Sequence, residues 1–187
     1  QQADEGWQHA FAQDGGRVFR KQSAAPAINC VKGAGILKGA PAKVLGMLSN
    51  ISNRQHYDDM CEGGEVFRAL TNECRLIHIR FRARGGGLCQ KFRRDFCLLL
   101  FTTELADGTC VVMSRSVVHP KCPPVSGYTR ADLLISGWVL RPSSDGATTQ
   151  ATYVVHTDLK GSIPTWIANT IGKNQPLLIA KLRDFVE

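Results

Sequence analysis

Residues 115–124 read RSVVHPKCPP and residues 136–142 read SGWVLRP, with Gly127, Tyr128 and Arg130 between them. Polar and apolar residues alternate through both stretches, which is typical of strands in a sheet whose two faces differ. The prolines after His119 mark a turn. The region therefore predicts a strand, a proline-rich turn and two further strands in close succession.

The composition is that of a folded domain. Of the 187 residues, 43% are hydrophobic and 21% charged, a balance typical of globular chains. The apolar run at 97–101 is closed by Thr102, Thr103 and Glu104, well short of the ~18 residues that a membrane-spanning helix needs. No linker or repeat divides the chain. We expect a single domain over residues 1–187. Because the chain lacks an initial methionine, we also expect that this domain was excised from a longer protein.

Seven cysteines are scattered along the chain without a CxxC pair. An odd number of thiols, several within apolar strand patterns, favours free cysteines and a reducing, cytoplasmic compartment over disulfides. His119 and Cys122 lack the second pair of ligands that a structural zinc site requires. We therefore expect neither a metal nor a cofactor.

The net charge of +7 comes largely from one basic segment, opposed there by Asp95. Its members are Arg75, Arg80, Arg82, Arg84, Lys91, Arg93 and Arg94. Such a patch attracts phosphates of nucleic acids or of anionic lipids, although a solvated strand face and hairpin tip is the simpler interpretation. Arg82, Arg84, Lys91 and Arg93 are the candidates for a membrane-docking surface.

Hydrophobic periodicity predicts the elements of the first third of the chain. Residues 1–12 resemble the end of an amphipathic helix, and strands are expected at 17–21 and 28–37. Pro41 opens a helix over residues 42–48, since proline is favoured in the first helical turn. A short helical or irregular piece follows, up to Asp58.

The period changes to two from Gly64 onward. In residues 73–82, the set Leu76, His78, Arg80 and Arg82 is expected to face water, and Ile77, Ile79 and Phe81 to face inward. A flexible loop is predicted at 83–90, and strands at 95–104, 109–118, 128–135 and 147–157. Arg130 and Asp132 are expected to point outward. The inward residues of these later strands are Val112, Ser114, Ser116, Val118, Ala131, Leu133, Ile135, Ala151, Tyr153 and Val155.

The C-terminal part predicts a long helix over residues 162–186. Ser162 is a suitable N-cap, Pro164 lies in the first turn, and Pro176 is expected to bend the helix. The fold class is therefore α+β, an antiparallel sheet gripped by a terminal helix. Side chains fill the space between sheet and helix, or a cavity remains there; the small and polar inward residues favour the cavity only weakly.

An ordered set of motifs resembles the START domain, the StAR-related lipid transfer module. The set comprises Trp7, Asp14-Gly15, residues 18–21, Val31-Lys32-Gly33, Arg94-Asp95-Phe96, residues 116–124, Gly127-Tyr128 with Arg130, Ser136-Gly137-Trp138, and residues 160–164 with Trp166. The resemblance covers nearly the whole chain. It implies the helix-grip fold, in which a curved antiparallel sheet and a C-terminal helix lid enclose a tunnel for one lipid.

The resemblance implies non-catalytic binding of a sterol, phospholipid, sphingolipid or fatty acid, with transfer between membranes or sensing as the task. Tyr153 and Ser114 are the candidates for contacting a polar headgroup. Steroidogenic members carry an acid and an arginine in the tunnel where this chain has Ile79 and Leu100, so polar sterol recognition of that type is not expected. The predicted lining residues are Ile77, Ile79, Phe81, Leu98, Leu100, Ser114, Ser116, Tyr153, Val155, Trp166, Thr170 and Ile171.

Other function classes find less support in the sequence. An enzyme would need a converging acid, base or nucleophile, whereas His78 and His156 are predicted on the wet face and Gly33-Ala34-Gly35 does not continue into a dinucleotide-binding motif. A nucleic-acid site would interleave aromatic and basic residues, but Phe81 is predicted to face inward. An interaction module that docks anionic membranes or partners through the basic hairpin is the alternative. We expect one lipid, transient membrane contact, no nucleic acid and a monomer.

Overall fold

The computed structural model describes residues 6–22, 29–82, 92–164, 174 and 177–186. Within these residues, α-helices lie at Pro41–Ser49 (α1), Arg54–Tyr57 (α2) and Leu178–Val186 (α3), Asn174 is also helical, and a 3-10 turn lies at Ile51–Asn53. The strands are β1 (Gln8–Gln13), β2 (Gly16–Gln22), β3 (Asn29–Lys38), β4 (Cys61–Ala69), β5 (Cys74–Phe81), β6 (Arg94–Glu104), β7 (Cys110–Ser116), β8 (Thr129–Arg130), β9 (Asp132–Pro142) and β10 (Thr148–Asp158).

The strands form one sheet of ten, which confirms the α+β class. Its order is β1-β2-β3-β10-β9-β7-β6-β5-β4, with all neighbours in this path antiparallel, and β8 pairs with β6 in parallel. Most neighbours follow one another along the chain, but β10 returns to lie between β3 and β9. Tyr153 thereby pairs with both Gly33 and Trp138, near the centre of the sheet.

The N-terminal residues form a strand, and the prediction of a helix there is wrong. β1 pairs with β2 through a tight hairpin in which Asp14 and Gly15 both have positive φ, 49° and 70°. Two consecutive residues in this region suit the turn that joins twisted antiparallel strands. The pairing with β2, which periodicity over a few residues does not reveal, decides the conformation of β1.

A second correction concerns β9, which runs unbroken where two strands were expected. Ile135 pairs with His156, but the next pair joins Leu133 to Thr157, so Leu134 is one extra residue. Such a bulge reverses which face the following side chains occupy. Ile135 is therefore 49% exposed rather than inward.

Beyond the bulge, the inward side chains of β9 are those of Ser136, Trp138 and Leu140, all buried. The Trp138 ring stacks on Tyr153, with ring centres 4.4 Å apart. The bulge therefore places a large aromatic and a hydroxyl on the inner face, which a uniform alternation from Ala131 does not predict.

The helices pack on the inner face of the sheet. α1 begins at Pro41 and buries Val44 and Leu48 against the sheet. α3 packs on β3, where a Cβ on Gly35 would lie only 2.9 Å from Ile179 Cγ2, so glycine permits the close approach.

The predicted long C-terminal helix is described only over α3. Ser162 and Pro164 are not helical, so a helix does not begin at Ser162; the backbone is turning just before, where Lys160 and Gly161 have φ of 51° and 66°. The predicted bend at Pro176 and the predicted loop at 83–90 lie outside the described residues.

A buried carboxylate on the outer face joins several parts of the chain. Asp95, fully buried in β6, accepts hydrogen bonds from Arg130 Nε at 3.1 Å and Nη2 at 2.8 Å, and its Oδ2 lies 2.9 Å from His78 Nε2. Arg130 also donates to the carbonyls of Cys122 and Pro123 in the proline-rich loop.

This loop explains why two residues that were expected to be exposed are buried. Leu76 and His78 are covered because the chain after β7 folds over the outer face of β5 and β6, where Cys122 is buried and Arg130 bonds to Asp95. The converse error is at Val118, which was expected to face inward but is exposed because β7 ends at Ser116. The side chains of β5 do alternate between the two faces of the sheet, but a polar residue on the outer face is not necessarily exposed to solvent.

The contacts of Asp95 with Arg130 and His78 make the free energy of unfolding depend on pH in the acid range. Burial acts to raise the pKa of Asp95, but the hydrogen bonds from Arg130 and His78 outweigh it and hold the pKa below its usual range. The stabilisation is therefore present above the unfolded-state pKa of about 3.9 and is lost as the pH falls through the lower folded-state value.

We expect Asp95→Asn to lower the free energy of unfolding by about 3 kcal/mol at neutral pH, because it removes the counterion of a buried pair. The difference from the wild type should begin to shrink below about pH 4, where Asp95 of the unfolded wild type takes up a proton, and should shrink further as the pH falls through the lower folded-state pKa. Urea unfolding at several pH values measures both effects. Glu104→Gln, an exposed carboxylate on the same strand, is the control; an equal loss in both variants would contradict the assignment.

Candidate functional site

An apolar cavity lies between the inner face of the sheet and the α1–α2 segment. The centre of a water-sized sphere can move through about 130 Å³ of it. The sheet contributes side chains from β5, β6, β7, β9 and β10, and the residues between α1 and β4 form the opposite wall. Besides those discussed below, its lining includes Leu48, Ile51, Met60, Phe92, Phe96, Val112, Leu133, Gly137, Thr157 and Leu159.

Eight of the predicted binding residues line this cavity: Ile77, Ile79, Phe81, Leu98, Leu100, Ser114, Tyr153 and Val155. They converge because alternate residues of β5 and β6 point to one face and because the register sets them side by side. Ile77 pairs with Leu98, and Leu100 pairs with Ser114. Strand alternation in the sequence predicted the inward face for the members on β5, β7 and β10, whereas Leu98 and Leu100 were predicted only as part of a buried strand.

The remaining predicted lining residues do not join this group. The Ser116 hydroxyl accepts a hydrogen bond from the Leu133 backbone N–H at 2.8 Å, a structural contact outside the cavity lining. Trp166, Thr170 and Ile171 lie outside the described residues.

The candidate docking residues also separate. Arg82 is exposed and borders the cavity. Arg93 is held in an ion pair, with its Nη2 2.6 Å from Glu62 Oε1 and its guanidinium 5.2 Å from the centre of the Tyr128 ring. Arg84 and Lys91 lie outside the described residues.

One part of the cavity wall is polar, and sequence analysis did not find it. In the short helix α2, Arg54 Nη2 lies 2.8 Å from Asp58 Oδ2, and both side chains are largely buried. The guanidinium lies 5.5 Å from the centre of the Tyr57 ring. On the opposing strands, Ser136 Oγ donates to Tyr153 Oη at 3.2 Å.

Burial and neighbouring side chains shift the pKa values of Arg54 and Tyr57 in this polar part of the wall. Burial alone lowers the pKa of Arg54, but the charge of Asp58 and the nearby tyrosine hydroxyls outweigh it and hold the pKa well above its usual range. Burial raises the pKa of Tyr57. At neutral pH the cavity therefore presents the guanidinium of Arg54 and the protonated phenol of Tyr57, which suit hydrogen bonding to a ligand rather than proton transfer.

Arg94 is a further lining residue that the sequence pattern did not indicate as such. It begins β6 opposite Phe81 on the inner face and is only 5% exposed. The usable signal for Arg54 was its spacing of four from Asp58 in a helical segment, the distance at which helix side chains pair. No comparable signal marks Arg94, whose partners are backbone carbonyls.

Two absences concern the described part of the chain. Its His, Cys, Asp and Glu side chains form no group of three that is placed to hold a metal ion. Among the helices described, none is long and apolar enough to cross a membrane.

A family model for the START domain matches residues 1–184, almost the full length of the sheet, cavity and C-terminal helix. The chain belongs to the START domain family. StAR-related lipid transfer protein 5 of mouse is 26% identical over 168 residues, which are 88% of this chain and 78% of that protein. Rho GTPase-activating protein 7 of mouse is 24% identical over 168 residues, but this START domain spans only 14% of its length.

Solved structures show the same helix-grip fold. Human StAR-related lipid transfer protein 5 superimposes with a TM-score of 0.87 at 24% identity, covering 99% of this chain and 88% of that one. The human StarD13 lipid transfer and protein localization domain gives 0.83 at 21% identity, with 97% and 89% covered. The Zhui aromatase/cyclase from Streptomyces gives 0.55 at 11% identity, with 84% and 93% covered.

Substitutions on the two faces of β6 should differ in their effect on the free energy of unfolding, because only the inner face borders the cavity. Leu100→Ala should lower the free energy of unfolding by about 2 to 4 kcal/mol, because a buried side chain is replaced by additional empty space. Leu99→Ala, on the outer face and only half buried, should cost about 1 kcal/mol. Equal losses in chemical unfolding would show that Leu100 does not border the cavity as described.

Proposed function

We propose that this START domain binds one lipid in its internal cavity and carries or senses that lipid at membranes without altering it chemically. The observation that carries the proposal is the cavity itself, apolar along the sheet and polar at Arg54, Tyr153 and Ser136. A single molecule with a hydrocarbon body and a polar end fits this distribution. The lipid transfer named for the mouse and human relatives supports the same class of ligand.

The physical need for such enclosure is large. Each CH₂ group moved from an apolar phase into water costs about 0.8 kcal/mol, so an acyl chain of about sixteen carbons costs roughly 12 kcal/mol. A carrier that leaves part of the chain in water retains part of this cost. Enclosure beneath a sheet, with exchange through a movable segment, is the arrangement that removes it.

The lining favours binding over chemistry. Its titratable side chains are Arg54, Tyr57, Arg82, Arg94 and Tyr153, without a carboxylate, histidine or thiol among the described lining residues. Ser114 and Ser136 therefore have no general base in the described wall to activate them. The apolar Ile79 and Leu100 also argue against the acid–arginine recognition of sterols that the steroidogenic members use.

A blocking substitution tests the cavity directly. Ser114→Phe should abolish the lipid adduct, because the ring projects from β7 into the space between Leu100 and Ser136. The measurement is native mass spectrometry after incubation with mixed liposomes, followed by identification of the released lipid. The wild type should carry one lipid per chain.

Arg115→Phe is the matched control, since the neighbouring residue of β7 is exposed on the opposite face. It should retain the adduct. Circular dichroism of both variants establishes that they are folded. A wild type that yields no adduct, or a folded Ser114→Phe that retains it in full, would overturn the proposal.

We also propose that the basic side of the cavity contacts anionic membranes during exchange, and that the domain does so as a cytoplasmic monomer. The supporting observation is that Arg82 is exposed where it borders the cavity, and that residues 83–91, which contain Arg84 and Lys91, include no acidic residue. Arg93 contributes less to this surface, because Glu62 neutralises it.

Charge reversal should separate docking from cargo binding. Arg82→Glu combined with Arg84→Glu should weaken binding to vesicles rich in phosphatidylserine by at least about tenfold, since each basic residue near such a surface contributes about 1 kcal/mol. The lipid adduct should remain. Reversal of the exposed Arg68 on β4 is the control. Vesicle co-sedimentation at several salt concentrations measures the effect, and unchanged binding by the double variant would refute the assignment.

A further inference from the structure

Arg94 differs from three neighbouring arginines in having no acidic partner among the described residues. Arg54 pairs with Asp58, Arg93 with Glu62 and Arg130 with Asp95. Arg94 is less solvent-exposed than any of these, at 5%, yet no carboxylate of the described chain lies within salt-bridge distance of it.

The hydrogen bonds of Arg94 are made to backbone carbonyls. Nε donates to Leu159 O at 2.6 Å, Nη2 to Lys160 O at 3.0 Å and Nη1 to Arg93 O at 3.1 Å. A guanidinium has five N–H donors, and these bonds account for three of them. Each terminal nitrogen therefore retains one N–H that no described residue accepts, on a side chain that lines the cavity.

The positive charge of Arg94 is not neutralised by an acidic group of the described residues. Burial lowers the pKa of Arg94, and no acidic group acts in the other direction. The guanidinium nevertheless stays protonated, because arginine keeps its proton throughout the ordinary pH range. Residues 83–91 and 165–176, the segments next to the cavity-lining residues in sequence, contain neither Asp nor Glu; the acidic residues outside the description are Asp4, Glu5 and Glu187.

A buried charge is ordinarily paired, because carbonyl dipoles replace only part of the hydration that it loses. The missing partner of Arg94 has to be an oxygen-rich anion that reaches the protein from the cavity side. Because most of the wall is apolar, the body of that molecule is hydrocarbon. Arginine forms two parallel hydrogen bonds to carboxylate or phosphate, and the two remaining N–H groups allow this.

We propose that Arg94 binds the anionic headgroup, a carboxylate or a phosphate, of the lipid held in the cavity. The inference rests on the proposed lipid-binding function and adds its ligand class: an amphiphile whose chain lies along β5 and β6 and whose oxyanion neutralises Arg94. Arg54 differs in role, because Asp58 already balances its charge, so it suits a neutral acceptor.

A comparison of ligands tests this on the unmodified domain. Dodecanoate, dodecyl phosphate and dodecanol share one chain and differ in the headgroup, and calorimetry at mildly alkaline pH gives their affinities. At least one anion should bind about tenfold more tightly than the alcohol, because hydrogen bonds to charged groups are the stronger kind. The anion that binds more tightly identifies the headgroup as carboxylate or phosphate. Acetate and inorganic phosphate should not compete, since they lack the chain.

The outcomes distinguish this inference from the proposed function. Equal binding of the alcohol and both anions overturns the role of Arg94 and leaves lipid binding intact. Binding of none of the three, together with no adduct from liposomes, overturns both. Competition by inorganic phosphate would reveal a site for free anions and also contradict the proposal.

Substitution of Arg94 provides a second readout. Arg94→Gln should remove the preference for the anion while keeping the affinity for dodecanol within about twofold, because the apolar wall is unchanged. Arg93→Gln is the matched control on the preceding residue and should keep the preference. A folded Arg94→Gln that still prefers the anion contradicts the proposal. If Arg94→Gln does not fold, the ligand series on the wild type decides.

Discussion

The apolar inner face of the ten-stranded sheet must be shielded from water, and the arrangement of the helices that shield it determines where the cavity lies. α3 packs on β3, α1 packs on the central strands β6, β7 and β9, and α2 contacts both β4 and α3. Space remains between the α1–α2 segment and the inner face of the sheet, where Trp138 and Tyr153 stack. The cavity is thus the part of the inner face that these helices shield from water but do not fill.

Much of the inner face was predictable from the sequence, because strand periodicity is a local property. Ile77, Ile79, Tyr153 and Val155 were assigned correctly to one face by counting alternate residues. Family resemblance then supplied what periodicity does not, namely that the face belongs to a helix-grip fold. The return of β10 to the centre of the sheet was not predicted.

The failures share one physical cause, which is contact between residues distant in sequence. His78 was assigned to water because it is polar, yet the proline-rich loop covers it and Asp95 bonds to it. Arg54 and Arg94 were missed for the converse reason: a charged residue in the sequence gives no sign that it will line a cavity. Ile135 was misplaced because a single extra residue, Leu134, reverses the alternation of its strand.

The bulge in β9 also affects how this chain should be compared with others. The strand has two halves with opposite alternation, so an alignment that shifts one half by a single position still matches apolar residues to apolar residues. Such a shift would assign Trp138 to the solvent side and bring a residue from the outer face into the wall. A gap of one residue near Leu134 in an alignment therefore marks the presence or absence of the bulge. Its position should be set by the pairing of β9 with β10 rather than by the similarity of the aligned residues.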